Sequence, residues 1–228
     1  MKKVIVITGG SEGIGREIAR MLLPENIVVL LSRNKGKLEQ TSRELACDFL
    51  VCDVSKQDEV EKTVEKIIKK HGRIDALVNN AGIWVEGKLE NNHAKDIISA
   101  IEVNTLGTIL FSKAVINQMK KQGKGQIVNV ISQSGLIAKA ERTVYNASKW
   151  AITGFTKSLR LELGGCGIGV TGVYPAKVNT KLFENAGIDK EMGHSIEPED
   201  VAKAVQFALS MDGNAMVLDI GLEHVRRV

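Results

Sequence analysis

"KVIVITGGSEGIG", residues 3–15, sets the apolar run Val4 to Ile7 directly before a turn with glycine at positions 9, 10, 13 and 15. A continuous apolar run of that length reads as a strand buried on both faces, the habit of central strands in parallel sheets. The glycines then pass the chain into "REIARMLL", 16–23, a short helix that Pro24 helps to end. A strand that enters a helix through a glycine turn is the opening unit of an α/β sheet.

The same alternation continues along the chain. Further strands are expected at "NIVVLLS" (26–32), "CDFLVCD" (47–53), "DALVNNAG" (75–82), "QIVNVIS" (126–132), "IGVTGVYPA" (168–176) and "AMVLDIGL" (215–222). Between 58 and 70, Val60, Val64, Ile67 and Ile68 make an apolar stripe with charges elsewhere, the pattern of a helix covering one sheet face. Helices are also expected over 94–121, over 144–163 with Ile152, Phe155, Leu159 and Leu163 on one side, and over 198–211 with Val201, Ala204, Val205 and Ala208 inward. Strands joined by right-handed helical crossovers give a doubly wound, parallel, seven-stranded sheet with helices on both faces, here as a single domain over residues 1–228. Ligands in such sheets sit beyond the carboxyl ends of the strands.

Composition narrows the function. With 228 residues, 43% hydrophobic and 25% charged, the chain can bury a sizeable core without disulfides or metals. The net charge of +4 is spread out, the longest basic cluster being "KKQGKG" at 120–125, and aromatics make up 4%, so neither a concentrated basic face nor stacking rings for nucleic acid is evident. No uninterrupted apolar run approaches a bilayer span, and the four apolar residues after Lys3 are too few for a signal peptide. Cys47, Cys52 and Cys166 are odd in number and lack CxxC spacing, which fits reduced thiols in the cytoplasm. His71, His93, His194 and His224 share no metal-ligand spacing.

Two stretches carry chemistry. In "TGGSEGIG", 8–15, the glycines depart from G-x-G-x-x-G, yet they let backbone amides approach a pyrophosphate while the helix N-terminus offers free N–H groups and a positive dipole. In "TVYNASKWA", 143–151, Tyr145 and Lys149 fall at i and i+4 on one helical face. Taken alone, that pair also describes a core aromatic followed by a solvated lysine.

Together with "NNAG" at 79–82, Asn104 in "VNTLG" and Ser132, these motifs stand in the order and approximate spacing of the short-chain dehydrogenase/reductase family, which the chain resembles from Val4 to about Leu222. The resemblance implies an oxidoreductase interconverting a carbonyl and an alcohol on a small or medium-sized substrate. It makes Tyr145 the general acid/base, Ser132 the group that hydrogen-bonds the substrate oxygen, with Ser134 a nearby competitor, and Asn104 a helix distortion leading through water to Lys149. An ammonium about 5 Å from a phenol at an effective dielectric of 20 stabilises the phenolate by roughly 3 kcal/mol, about 2 pKa units, which would bring Tyr145 towards neutrality.

For the cofactor, the resemblance assigns Gly9, Ser11, Gly13, Ile14 and Gly15 to the phosphates, and Asp53 and Val54 to the adenine. Asn80, Ala81 and Gly82 fall to the ribose, with Tyr145 and Lys149, while Asn79 keeps a mainly structural place. Pro175, Val178 and Thr180 in "YPAKVNT" surround the nicotinamide carboxamide, with Ala176 in place of the usual glycine. Ser32 stands where an NAD enzyme presents a carboxylate, and Arg33 follows it, so NADP is expected over NAD. Glu12 would weaken phosphate binding unless it points away or pairs with Arg33. The segment between Thr180 and Pro198 is a short lid with Gly187 and Gly193 as hinges, which fits a permissive site. The C-terminal stretch lacks the glycine-rich ending of many fatty-acyl-type relatives and looks more like the small-molecule carbonyl or hydroxy-amino-acid reductases of the family. A homodimer or homotetramer is implied, packed through the 94–121 and 144–163 helices. Trp84 and Trp150 read as core or interface packing ahead of the alternative, a border of the substrate cleft. A non-catalytic NADP-binding sensor and an NAD-linked alcohol dehydrogenase are the rival readings.

Overall fold

The computed structural model of the chain describes residues 2–211 and 215–227. In chain order the main elements are β1 (Val4–Thr8), α1 (Gly13–Leu22), β2 (Ile27–Ser32), α2 (Lys35–Leu45), β3 (Asp48–Val51), α3 (Gln57–His71) and β4 (Ala76–Asn79). Then come α4 (Ala94–Ala100), a π-helical turn (Ile101–Leu106), α5 (Gly107–Gln122), β5 (Gly125–Val130), α6 (Thr143–Leu163), β6 (Ile168–Pro175), α7 (Pro198–Ser210) and β7 (Asp219–Leu222). The strands form one seven-stranded sheet in the order β3-β2-β1-β4-β5-β6-β7, with every neighbouring pair parallel. This is the doubly wound sheet expected from the sequence.

Period-two alternation in the central strands feeds two cores. Ile5, Ile7, Val28 and Leu30 pack with Ile18 of α1 and Val201 and Val205 of α7 on one face. Val4, Val6, Val29 and Leu31 pack with Val60, Val64 and Ile67 of α3, Phe111 and Val115 of α5 and Leu159 of α6 on the other. The chain turns back at the boundary between β1 and β4. Loops leaving these two strands run to helices on opposite faces, and the crevice between them is where such sheets bind ligands.

Two elements differ from expectation. Helix α2 was not foreseen, because between Arg33 and Ala46 only Leu38 and Leu45 are apolar and they make no stripe. It is anchored in the core by Leu38 and Leu45 and held further by polar contacts: Asn34 Oδ1 accepts from the Lys37 N–H at 3.0 Å, and Thr41 Oγ1 donates to the Ser11 carbonyl at 2.8 Å. The helix expected over 94–121 is interrupted by the π turn. Ala94–Gln122 has the length and mean hydropathy (1.2) of a membrane helix, but it buries Phe111, Ser112 and Met119 against the sheet and carries the fully buried Asn104 in its π turn.

Candidate active site

A cleft of about 1180 Å³ opens at the carboxyl ends of the strands, lined by the glycine turn, the ends of β2, β4 and β5, the start of α6 and the segment after β6. At one wall α1 begins with Glu12 as its flanking residue, whose side chain makes no cap, and its first turn holds no acid. The N–H groups of that turn and the positive end of the dipole therefore carry no side-chain cap, and the flanking Glu12 carboxylate is engaged by other side chains, which fits a diphosphate. Gly9 and Gly13 adopt φ of +66° and +54°, which side chains rarely adopt. A Cβ on Gly15 would stand 2.3 Å from the Gly9 carbonyl oxygen and 2.6 Å from Asn80 Nδ2. Gly15→Ala is accordingly expected to distort the loop at a cost of about 1–3 kcal/mol and to weaken dinucleotide binding, read by fluorescence titration.

Beyond the phosphates, Ser11 Oγ and Ser32 Oγ are 3.0 Å apart, and Arg33 at the end of β2 reaches Asp53 at 3.9 Å. Asp53 also accepts from the Ser55 N–H and hydroxyl, so it shapes its own turn while facing Arg33. Val54 is buried; a Cβ on Gly107 would meet it at 2.6 Å, so it packs on the start of α5 as well as lining the cleft. Glu12 pairs with Lys37 at 2.9 Å and accepts from Asn185 at 2.9 Å, rather than meeting Arg33. Burial works against its charge, yet these two bonds hold its carboxyl below the usual range. Lys37, from the unforeseen helix, puts a second cation beside Arg33.

After β4, Asn80 spends its amide on the glycine turn, donating to the carbonyls of Thr8 and Gly9, while Thr8 Oγ1 accepts from the N–H groups of Asn80 and Ala81. Asn79 is buried and bonds Ser112 and Asn129, a structural place. Gly82 keeps space open: a Cβ there would lie 3.3 Å from Asn104 Oδ1 and 3.6 Å from Lys149 Nζ. Both groups thus face one spot. Asn104 is committed on every side, accepting from the Ile83 N–H at 2.8 Å and donating to the Ile83 carbonyl and Ser148 Oγ at 3.0 Å each.

Tyr145 and Lys149 share a face of α6 and are both buried, the lysine Nζ 5.6 Å from the phenol ring centre. The Tyr145 hydroxyl is hydrogen-bonded to Ser132. Ser132 holds φ +146° and ψ +156°, a strained conformation at the end of β5, and its Oγ accepts from the Ser134 N–H at 3.1 Å. Ser134 thus supports Ser132. The electrostatic expectation is corrected here. Burial pushes the Tyr145 phenol up to about 12, outweighing Ser132 and the charge of Arg142, and the same burial pushes Lys149 down to about 8. Desolvation penalises both charged forms and exceeds the lysine's pull in the chain by itself.

The end of β6 and the segment after it carry Pro175, Val178 and Thr180 along the cleft. Ala176 continues the ladder, donating to the Leu222 carbonyl at 2.9 Å, and its φ is not positive, so replacing glycine there strains nothing. Trp84, read from sequence as packing, forms part of the cleft wall with its ring 4.3 Å from that of Tyr145, whereas Trp150 is exposed on α6. The sequence reading passed over Glu86, Arg142 and Lys190, which surround Trp84. Arg142 stands just before α6, outside its helical phase, and Lys190 belongs to an irregular segment, so neither carries a periodic signal.

Residues 3–205 match the family of short chain dehydrogenases. The chain belongs to that family. Among short-chain dehydrogenase relatives, carbonyl reductase family member 4 of Danio rerio is 37% identical, covering 98% of this chain and 99% of its own. The 3-oxoacyl-[acyl-carrier-protein] reductase of Bos taurus is 35% identical over 98% and 99% of the two chains. An alcohol dehydrogenase from the archaeon Thermococcus sibiricus, solved with 5-hydroxy-NADP, superposes with a TM-score of 0.90 at 28% identity, covering 99% of this chain and 97% of that one. This short-chain dehydrogenase is an oxidoreductase of the carbonyl–alcohol couple, and its family binds a nicotinamide cofactor.

Proposed function

We propose that the chain is an NADP-dependent carbonyl reductase in which Tyr145 exchanges the proton of the substrate oxygen. The carrying observation is the buried Tyr145–Lys149 pair with Ser132 beside it, facing the same cleft as the uncapped start of α1. When bound, NADPH supplies the hydride. Tyr145, neutral at pH 7, gives its proton to the oxygen, and Ser132 orients that oxygen by hydrogen bonding. Lys149 holds positive charge close to the phenol and, with Gly82, would receive the cofactor's ribose. Asn104 braces the turn after β4 against the π turn and fixes the floor on which Lys149 rests. NADPH consumption across aldehydes, diketones and oxo acids tests the reading; cofactor binding with no turnover on any of them, unchanged by Tyr145→Phe, favours the sensor alternative.

The preference for NADP is supported by the absence of a carboxylate at Ser32 and by Arg33 and Lys37 lining that end of the cleft. One observation favours NAD instead: Arg33 and Lys37 already face Asp53 and Glu12. Arg33→Ala separates the two, with an expected loss of NADPH affinity of about tenfold or more, as for one charge-assisted hydrogen bond, and little change for NADH. A chain that binds NADH more tightly before and after the substitution is the NAD-linked enzyme.

The exposed Ile98, Ile101, Leu106 and Trp150 give α4, the π turn and α6 an outward apolar surface, and we assign it to a homodimer or homotetramer contact. The three free thiols suit a cytoplasmic setting; burial pushes Cys47 up to about 11 and raises Cys52 as well, which keeps both unreactive.

A further inference from the structure

Around Trp84 the substrate end of the cleft holds more positive charge than the protein neutralises. The indole packs against Tyr145 and, edge to face, against Phe183 at 4.9 Å. Arg142 and Lys190 each lie 5.0 Å from its centre, and Lys190 lies 4.9 Å from Phe183. Glu86 serves both cations: it meets Lys190 at 2.8 Å, Arg142 Nε at 3.6 Å, and accepts the Trp84 Nε1–H at 3.0 Å. All three charged side chains are largely withdrawn from water, with 22%, 21% and 22% of Arg142, Lys190 and Glu86 exposed. Asp96 and Glu191 also line the cleft, but among the described residues neither pairs with Arg142 or Lys190.

A strut tying the lid segment to the turn after β4 needs one cation for one carboxylate, and Lys190 with Glu86 provides it. Arg142 adds a second, partly buried cation, met by the Trp84 ring and by one long contact to Glu86. Arg142 touches Glu86 through Nε alone, beyond good hydrogen-bond length, which leaves the terminal amino groups of the guanidinium for another partner. It flanks the start of α6, three residues before Tyr145, and its charge is felt at the Tyr145 phenol.

We propose that the carbonyl substrate is an oxo acid whose carboxylate is received by Arg142, with Lys190 completing the charge, while Trp84 and Phe183 flank its apolar part. The proposal deepens the carbonyl reductase reading and rests on it. Within this cluster two cations face one carboxylate, which suits an incoming monoanion, and the planar fork of arginine matches a carboxylate in two-point contact. Arg142 and Lys190 are specificity residues; the proton still moves through Tyr145.

Pyruvate, acetoacetate and levulinate, each compared with its methyl ester under NADPH, test this. For at least one pair kcat/KM is expected to favour the acid by about tenfold or more, and Arg142→Gln is expected to lower the acid-to-ester ratio about 10–100-fold, whatever change both suffer in common. Ratios near one for all pairs, or acids and esters slowed alike by Arg142→Gln, overturn the proposal while leaving carbonyl reduction standing. A second readout does not need turnover. In a Trp150→Phe background the remaining tryptophan, Trp84, is expected to change fluorescence saturably with acetoacetate, and Arg142→Gln is expected to abolish that change. If this holds while no carbonyl is reduced, the anion site stands and the reductase reading falls.

Discussion

Tyr145→Phe is expected to lower kcat for carbonyl reduction by about 10²–10⁴-fold, the usual worth of a positioned general acid, while NADPH affinity stays within about threefold. The substitution removes one oxygen and keeps the ring, which is fixed by Trp84 and buried on every side. What disappears is the proton at the hydroxyl and its bond to Ser132. Burial makes the phenol a group that keeps its proton through the neutral range, which suits donation to a reduced oxygen and leaves the reverse reaction dependent on added positive charge. Stopped-flow measurement of NADPH oxidation under single-turnover conditions isolates that step. A Phe variant that retains a tenth of the wild-type rate means the proton comes from elsewhere, with Ser132 and bound water the groups to examine next.

The course of the sheet was legible because its signal is local: four apolar residues before a glycine turn at Val4–Gly15, and an apolar stripe on α3, depend on period and turn chemistry alone. Helix α2 escaped because Asn34, Thr41 and Ser11 hold it through polar contacts with little apolar periodicity. With it went Lys37, and so the true partner of Glu12. The Tyr145–Lys149 pair was visible as spacing, but the sign of its electrostatics was not. Spacing sets the distance between two charges; the loss of water around them depends on Trp84, Phe183 and the turn after β4, which only the fold brings together. The same holds for Glu86, Arg142 and Lys190, three residues from separate segments that meet around one indole.

Lys149→Met is expected to give a chain that is more stable and nearly inactive. Burial lowers the lysine from its ordinary 10.5 to about 8 in the folded state. Below pH 8 the amine is protonated both folded and unfolded, and the folded chain bears the whole cost of the buried ammonium, about 3 kcal/mol at about 1.4 kcal/mol per pKa unit. Between pH 8 and 10.5 the folded chain releases its proton first, so the wild type gains stability as pH rises, and the cost is gone above 10.5. Tyr145 does not confuse this window: its folded pKa is raised, so its own contribution is lost only as pH climbs from 10 towards 12. Methionine carries no charge at any pH. At pH 7 the variant should therefore gain about 2–3 kcal/mol, a rise in melting midpoint of about 4–10 °C for a domain of this size, and the difference should shrink towards zero by pH 10. Activity should fall by about 10²–10³-fold, as when one preorganised electrostatic group is removed, because no cation then faces the phenol when it must lose its proton. Calorimetry of the cofactor-free chain across that pH range reads the first effect and initial rates the second. A midpoint that falls in the variant, or rises equally at pH 7 and 10, would mean that Lys149 is held by partners that offset its burial.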